Sequence, residues 1–177
     1  MDKLTSVLGA FSDKRDSLVL YNALKGLYDE ASCQMLTTSG LVITATTGKY
    51  VPKSGAAIAY GIVKGYHVTI AAGTDMPALA GTVTNAKFNV FCFYANKSGT
   101  SLTATDMVSA MGTEGATIDV VKFPNPPAGK TLIGYVIINP TGTGNFVGGT
   151  TALDDGTVIP NTIYVSVVGA FNPTALY

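Results

Sequence analysis

The chain has 177 residues, 47% hydrophobic and 12% charged, with 11 basic side chains against 11 acidic ones. That length and hydrophobicity suit a single domain with a real core. Zero net charge leaves no basic footprint for nucleic acid, and no apolar run approaches the roughly 20 residues of a membrane-crossing helix.

Charge is concentrated at the start: nine of the 22 charged residues lie in the first 30 positions, Asp2, Lys3, Asp13, Lys14, Arg15, Asp16, Lys25, Asp29 and Glu30. In that region Leu4, Leu8, Phe11, Leu18, Tyr21, Leu24, Tyr28, Ala31 and Met35 recur mostly at steps of three and four. This is the apolar stripe of an amphipathic helix, predicted from residue 3 to about 35 with a break near Ser12–Asp13. Two partners suit the stripe: the protein's own β-domain, or copies of itself, since Tyr21, Leu24, Tyr28, Ala31 and Met35 also fit an a/d heptad. The same stretch has no long apolar core followed by a small-residue cleavage site, so no secretion signal is read there and a reducing cytoplasm is expected. Cys33 and Cys92 have a spacing that suits neither a metal nor a redox pair, and both are expected to be buried free thiols.

From Thr37 the texture changes to alternation and turns. Strands are predicted at Leu41–Thr46, Ala57–Val63, Tyr66–Ala71, Gly81–Asn85 and Phe88–Ala95, with only Lys64–Gly65 between the second and third, a tight hairpin. Alternation in the aromatic strand puts Phe88, Val90, Cys92 and Tyr94 on one face and Phe91 and Phe93 on the other, the pattern of a central strand. Thr105–Met111 reads as either a short helix or a loop, and Ile118–Phe123 as a strand. Pro124, Pro126 and Pro127 then precede the apolar run Leu132–Ile138, a buried strand stopped by Pro140. Thr141–Thr151 is expected to be a flexible contact loop carrying a single aromatic, Phe146. Leu153–Gly156 is a turn, Thr162–Val168 a last strand, and Phe171–Tyr177 an apolar tail that needs something to dock on. The fold class is thus mainly β (sandwich, jelly-roll or barrel) with an N-terminal α-helical segment: residues 1–36 helical, 37–177 the β-domain.

Motifs for chemistry fail on their context. Gly129-Lys130-Thr131 ends like a phosphate-binding loop, but the glycine required five positions earlier is Pro124, and a strand rather than a helix follows. The glycines of 142–149 open no helix. His67, the only histidine, sits mid-strand without a nucleophile elbow and reads as a hydrogen-bonded sheet histidine. Cys33, Cys92 and His67 match no zinc spacing. Asp154-Asp155-Gly156 is a turn rather than a calcium loop. The Asn96-Lys97-Ser98 sequon is discounted without a secretion signal. No catalytic, cofactor or metal residue is expected. Tyr50, Tyr60, Tyr66, Tyr94, Tyr135 and Tyr164 are the aromatics available for sugar stacking, most of them expected to be packed in strands.

The order of segments carries a resemblance. An aromatic strand, Phe88–Ala95, and a Ser98-Gly99-Thr100 turn lead to Phe123-Pro-x-Pro-Pro-Ala-Gly-Lys130. Leu132-Ile-Gly-Tyr-Val-Ile-Ile138 follows, and then Phe146-x-x-Gly-Thr-Thr-x-Leu-Asp154. This is similar to a family of tailed-bacteriophage virion structural proteins, loosely over 57–154 and more closely over 123–154, with a longer 105–120 segment here. The resemblance implies a non-enzymatic capsid decoration or cement protein, or a head-fibre base. Such a protein sits on the virion as a homotrimer and contacts the major capsid protein or other virion proteins, with neither nucleic acid nor membrane as partner. The candidate interface residues are Leu18, Tyr21, Leu24 and Tyr28 on the helix, Phe146 in the loop, and Phe171, Leu176 and Tyr177 in the tail. The alternative is a receptor- or carbohydrate-binding module of a tail fibre.

Overall fold

The structure, a computed structural model, describes residues 14–43 and 51–169. The protein is mainly β with one N-terminal helix, α1 (Lys14–Ala31). Twelve strands follow in the described chain: β1 (Gln34–Met35), β2 (Val42–Ile43), β3 (Pro52–Lys53), β4 (Ala59–Val63), β5 (Tyr66–Ile70), β6 (Thr82–Val83), β7 (Asn89–Ala95), β8 (Ser101–Leu102), β9 (Met107–Met111), β10 (Thr131–Ile138), β11 (Phe146–Val147) and β12 (Ile163–Ser166). One four-stranded sheet has the order β1-β4-β5-β8 and the other β12-β10-β7-β9, while β11-β6 and β2-β3 form two-stranded pairs.

The main core lies between the two large sheets. Met35, Ala59, Val63, Val68 and Ile70 of the first sheet share one buried cluster with Phe91, Phe93, Ile133, Val136 and Ile138 of the second. The other face of the second sheet is buried too. Val90, Cys92, Tyr94, Leu132 and Ile137 pack there with Val121, Phe123 and Val167. β7 is therefore a central strand with the two faces read from its alternation, and β10 is its equal.

Parity along β10 is corrected by an irregularity. Its register against β7 shifts between Leu132 and Gly134, so that Leu132 lies opposite Tyr94 and Gly134 opposite Phe93. The extra residue, Ile133, points into the main core while Leu132 stays on the opposite face. Gly134 is required at this point, because a Cβ would collide with the Val165 carbonyl and lie 2.6 Å from Leu41 Cδ1. The β4–β5 hairpin closes as expected on Lys64 (φ 52°) and Gly65 (φ 77°), both left-handed, as a two-residue turn compatible with strand twist demands.

Four expectations are corrected. The helix ends at Ala31, not near 35, and Met35 belongs to β1, where it pairs with Gly61 and is buried. Residues 107–111 form neither helix nor loop. They are the edge strand β9, paired with Phe91–Ala95 after a short 3-10 turn at Ala104–Asp106. Residues 118–123 are not a sheet strand. A 3-10 turn at Ile118–Val120 leads into extended chain that bridges Thr113 through Lys122 and lays Val121 and Phe123 over the outer face of β7 and β10. Phe123 meets Tyr135 edge-on, 5.0 Å between centroids.

The fourth correction concerns 141–151. This segment contains β11, paired to β6, and is further tied by Gly142 N–H to the Val158 carbonyl (3.2 Å), Thr143 N–H to Thr157 (2.8 Å) and Gly148 N–H to Gly81 (2.9 Å). Phe146 is 0% exposed and stands edge-on to Phe91 at 5.9 Å. A lone aromatic in a glycine-rich stretch is here a core side chain carried by a hydrogen-bonded loop. It is not a surface contact.

Two predictions follow from this packing. Phe146→Ala empties a core position and is expected to cost about 3–5 kcal/mol in urea unfolding, where a side chain at a loop tip would cost almost nothing. The second concerns alkaline pH. Burial pushes the Cys92 thiol from 9.0 up to about 12, with Tyr94 hydrogen bonding opposing it slightly. Burial, and then the Asp154 charge, pushes the Tyr164 hydroxyl up to about 12. These groups stay neutral in the folded chain while the unfolded chain ionises, so their contribution is complete below about pH 9 and is lost as pH rises toward 12. Ionising Cys92 costs roughly 4 kcal/mol more in the folded chain than in the unfolded one. Cys92→Ala is therefore expected to flatten the fall of urea-unfolding free energy with rising pH over that window.

Candidate association surface

α1 mixes strong helix formers such as Leu, Ala, Lys and Glu with weaker ones, and its least favourable residue, Gly26, is at a site open to solvent. Its end is fixed to the β-domain. Ser32 N–H bonds the Tyr28 carbonyl (2.9 Å), Gly65 N–H of the β4–β5 turn bonds the Ser32 carbonyl (2.9 Å), and Lys64 N–H reaches Cys33 Sγ at 3.4 Å. The Tyr28 hydroxyl lies beside the same turn at Gly65. Beyond this junction, no extensive packing contact joins the helix to either sheet among the described residues.

Its apolar residues consequently remain open. Leu18 is 59% exposed, Leu27 63% and Tyr28 68%, with Val19 and Leu20 also exposed and Tyr21 and Leu24 half-buried. A helix with this much uncovered apolar surface is unusual for an isolated domain, in which the stripe normally faces the core. Of the residues singled out in the sequence, Leu18, Tyr21, Leu24 and Tyr28 thus share one helix, with Leu18 and Tyr28 exposed and Tyr21 and Leu24 half-buried. Phe146 is excluded from any surface by its burial. Phe171, Leu176 and Tyr177 lie outside the described residues, as do Leu4, Leu8, Phe11 and Tyr50. The sequence reading passed over Leu20 and Leu27. Their signal was present: Leu20, Leu24, Leu27 and Ala31 follow steps of four, three and four.

The remaining polar residues of interest are dispersed. His67 is exposed on β5, its ring 5.6 Å from that of Tyr60 across the strand pair, and not enclosed among apolar groups. Lys97 Nζ covers the Tyr66 ring at 3.2 Å from its centroid. Gly129 is in a turn and Thr131 begins β10, its hydroxyl donating to the Ile62 carbonyl at 2.6 Å, so the lysine between them stands at a strand entry. Cys92 is buried and Cys33 half-buried, and both thiols are free. Asp155 Oδ1 accepts from Thr157 and Val158 N–H at 2.9 and 3.2 Å, as the turn reading required. Among the described residues no group of three or more His, Cys, Asp or Glu side chains converges as a metal site. An open depression of about 520 Å³, lined by Val42, Lys53, Ser54, Gly55, Ala72 and Gly73, brings together no acid–base pair.

The Asp106 carboxylate is held by its own loop. It accepts from the Ser98 hydroxyl, from Thr103 N–H (2.8 Å) and from the Thr103 hydroxyl (2.8 Å), and these bonds hold its pKa below the ordinary value of 3.8. It clasps the chain between β7 and β9.

Comparisons with protein-family models, with curated proteins and with solved structures find no match for this chain.

Because Leu18 and Tyr28 are not core residues of the single chain, Leu18→Asp and Tyr28→Asp are each expected to leave the urea-unfolding free energy of the β-domain within about 0.5 kcal/mol of the original. The Asp106 clasp behaves differently. A depressed carboxylate stabilises above its ordinary pKa and loses that contribution as pH falls through the lower folded-state value. Asp106→Asn is therefore expected to lower the thermal midpoint at pH 7 and to narrow its difference from the original chain as pH drops below about 4.

Proposed function

We propose that this chain is a non-enzymatic structural subunit that self-associates through α1 and attaches to a larger assembly, of the capsid-decoration or head-fibre kind in a tailed-bacteriophage particle. The observation that carries the association is the exposed apolar surface of α1, where Leu18 and Tyr28 stand open with half-buried Tyr21 and Leu24 between them, on a helix anchored at its end. The virion setting rests on the likeness of segment order over 123–154. Zero net charge supports the same reading, since copies with no strong mutual repulsion associate by burying apolar area.

In this reading the β-domain is a rigid body and the helix is the joint. Identical helices place Leu18, Tyr21, Leu24 and Tyr28 against one another. Partners on the particle are the same chain and the capsid protein beneath it.

The experiment is native mass by light scattering across a dilution series. The original chain is expected to give a stable multiple of its mass, three chains under the trimer reading. The double variant Leu18→Asp/Tyr28→Asp is expected to give one chain with an unchanged β-domain circular dichroism spectrum. A single-chain mass for the original protein at all concentrations overturns self-association. Deletion of residues 2–30 is expected to abolish binding to particles, and undiminished particle occupancy overturns the role of the helix as the joint.

A further inference from the structure

The first sheet has two faces, and the main core uses one of them. Met35, Ala59, Val63, Val68 and Ile70 point into that core. Alternation turns Gln34 and Leu36 at β1, Tyr60 and Ile62 of β4, and His67 and Thr69 of β5 to the opposite side. Leu36 N–H donates to the Tyr60 carbonyl at 2.8 Å, which carries the pairing one residue past β1. The Met35–Gly169 bridge is antiparallel, so Val168 falls beside Leu36. On this outer face Leu36, Ile58, Tyr60 and Val168 are all exposed, and His67 is exposed with its ring against that of Tyr60. The strands β1, β4, β5 and β8 contain no Asp, Glu, Lys or Arg.

We infer that the outer face of the first sheet is the second part of the association surface, covered in the assembly by a neighbouring copy of this chain. The inference rests on the self-association proposed above and adds to it a place on the β-domain. Three observations select this occupant. The first is continuity. β1 follows directly on the junction that ends α1, and Ser32 of that junction is bonded to the β4–β5 turn, so a copy held against the helix stands next to these same strands.

The second is area. A stable interface buries about 800 Å² on each partner. One neighbour cannot cover every exposed side chain of α1, because Leu18, Val19 and Leu20 follow one another at steps of about 100° and point to different sides of the helix. The sheet face supplies further apolar surface beside it. The third is chemistry. A sheet whose strands carry no charged side chain neither steers nor pairs with a charged partner, and it is matched by another uncharged apolar surface. Every copy of the chain offers one, and zero net charge sets no strong repulsion between copies. Tyr60 is the central side chain of the contact, with Leu36, Ile58 and Val168 around it.

His67 is the only histidine, and it reports on this face in the unaltered chain. Acylation by diethyl pyrocarbonate is read at His67 by peptide mass analysis. In the assembled protein His67 is expected to lose most of the labelling that it shows in single chains, obtained by dilution or from the variant Leu18→Asp/Tyr28→Asp. Equal labelling in the two states overturns the sheet contact and leaves the helix contact standing. The second measurement is light scattering on Ile58→Asp/Tyr60→Asp across a dilution series. Its dissociation constant is expected to rise at least about tenfold with the urea-unfolding free energy little changed. A dissociation constant equal to that of the original chain overturns the contact. If this variant does not fold, the labelling of the unaltered chain decides alone. A single-chain mass for the original protein at every concentration removes the self-association, and this face with it.

Discussion

Strands β7 and β10 are hydrogen-bonded to each other over seven residue pairs and are covered on both faces. A strand pair buried on both sides can hold neither charge nor alternation, and it needs two separate covers. One cover is the first sheet, which meets Phe91, Phe93, Ile133, Val136 and Ile138. The other is not a sheet at all. It is the irregular chain around Val121 and Phe123, helped by Val167. The irregularity at Ile133 lets one strand satisfy both covers, since it resets which side chains point which way near the start of the strand. Gly112 N–H to the Val90 carbonyl and Asn89 Nδ2 to the Gly112 carbonyl hold the second cover at its start. Much of the 105–120 segment, longer here than in the family the chain resembles, serves to carry the chain from β9 round to that face, which Val121 and Phe123 then close without another sheet.

What could be read in advance was what local pattern determines. β7 and β10 announce themselves by length, β-branching, aromatic content and bounding turns, and the Lys64–Gly65 hairpin by spacing alone. The strands that were missed are short and owe their existence to partners. β11 is two residues of a glycine-rich stretch and extends only because β6 lies beside it. β9 has the composition of a helix or a loop, and becomes a strand because the edge of β7 has hydrogen bonds to give. Phe146 shows the same limit for a side chain, since nothing local separates an aromatic at a loop tip from one folded under it. Among the helix residues the apolar stripe was legible. Whether the domain would cover it was not, because that depends on where the junction at Ser32 and Cys33 points the helix.

That junction also sets how the helix is held. A helix joined to the β4–β5 turn at Ser32 and Cys33, and without extensive contact to either sheet among the described residues, keeps much of its apolar surface exposed. The reactive side chains are scattered. His67 lies on an open face, the Asp106 carboxylate is saturated by its own loop, and Cys92 is a thiol that burial keeps protonated. A site for covalent chemistry needs such groups converging on one point, with one of them activated by another. The described residues offer an apolar surface instead.

Magnitudes decide how that surface must be used. Fully burying a large apolar side chain is worth about 1.5–3 kcal/mol, and those of α1 are already partly covered. Leu18, Val19, Leu20, Leu27 and Tyr28 together therefore offer on the order of 5–9 kcal/mol. Bringing separate chains together costs an estimated 4–15 kcal/mol before any gain appears. A helix using its whole exposed surface on a neighbouring copy is thus marginal as a joint. Self-association through α1 therefore needs apolar area beyond these five side chains, because their burial alone falls within the range that association costs.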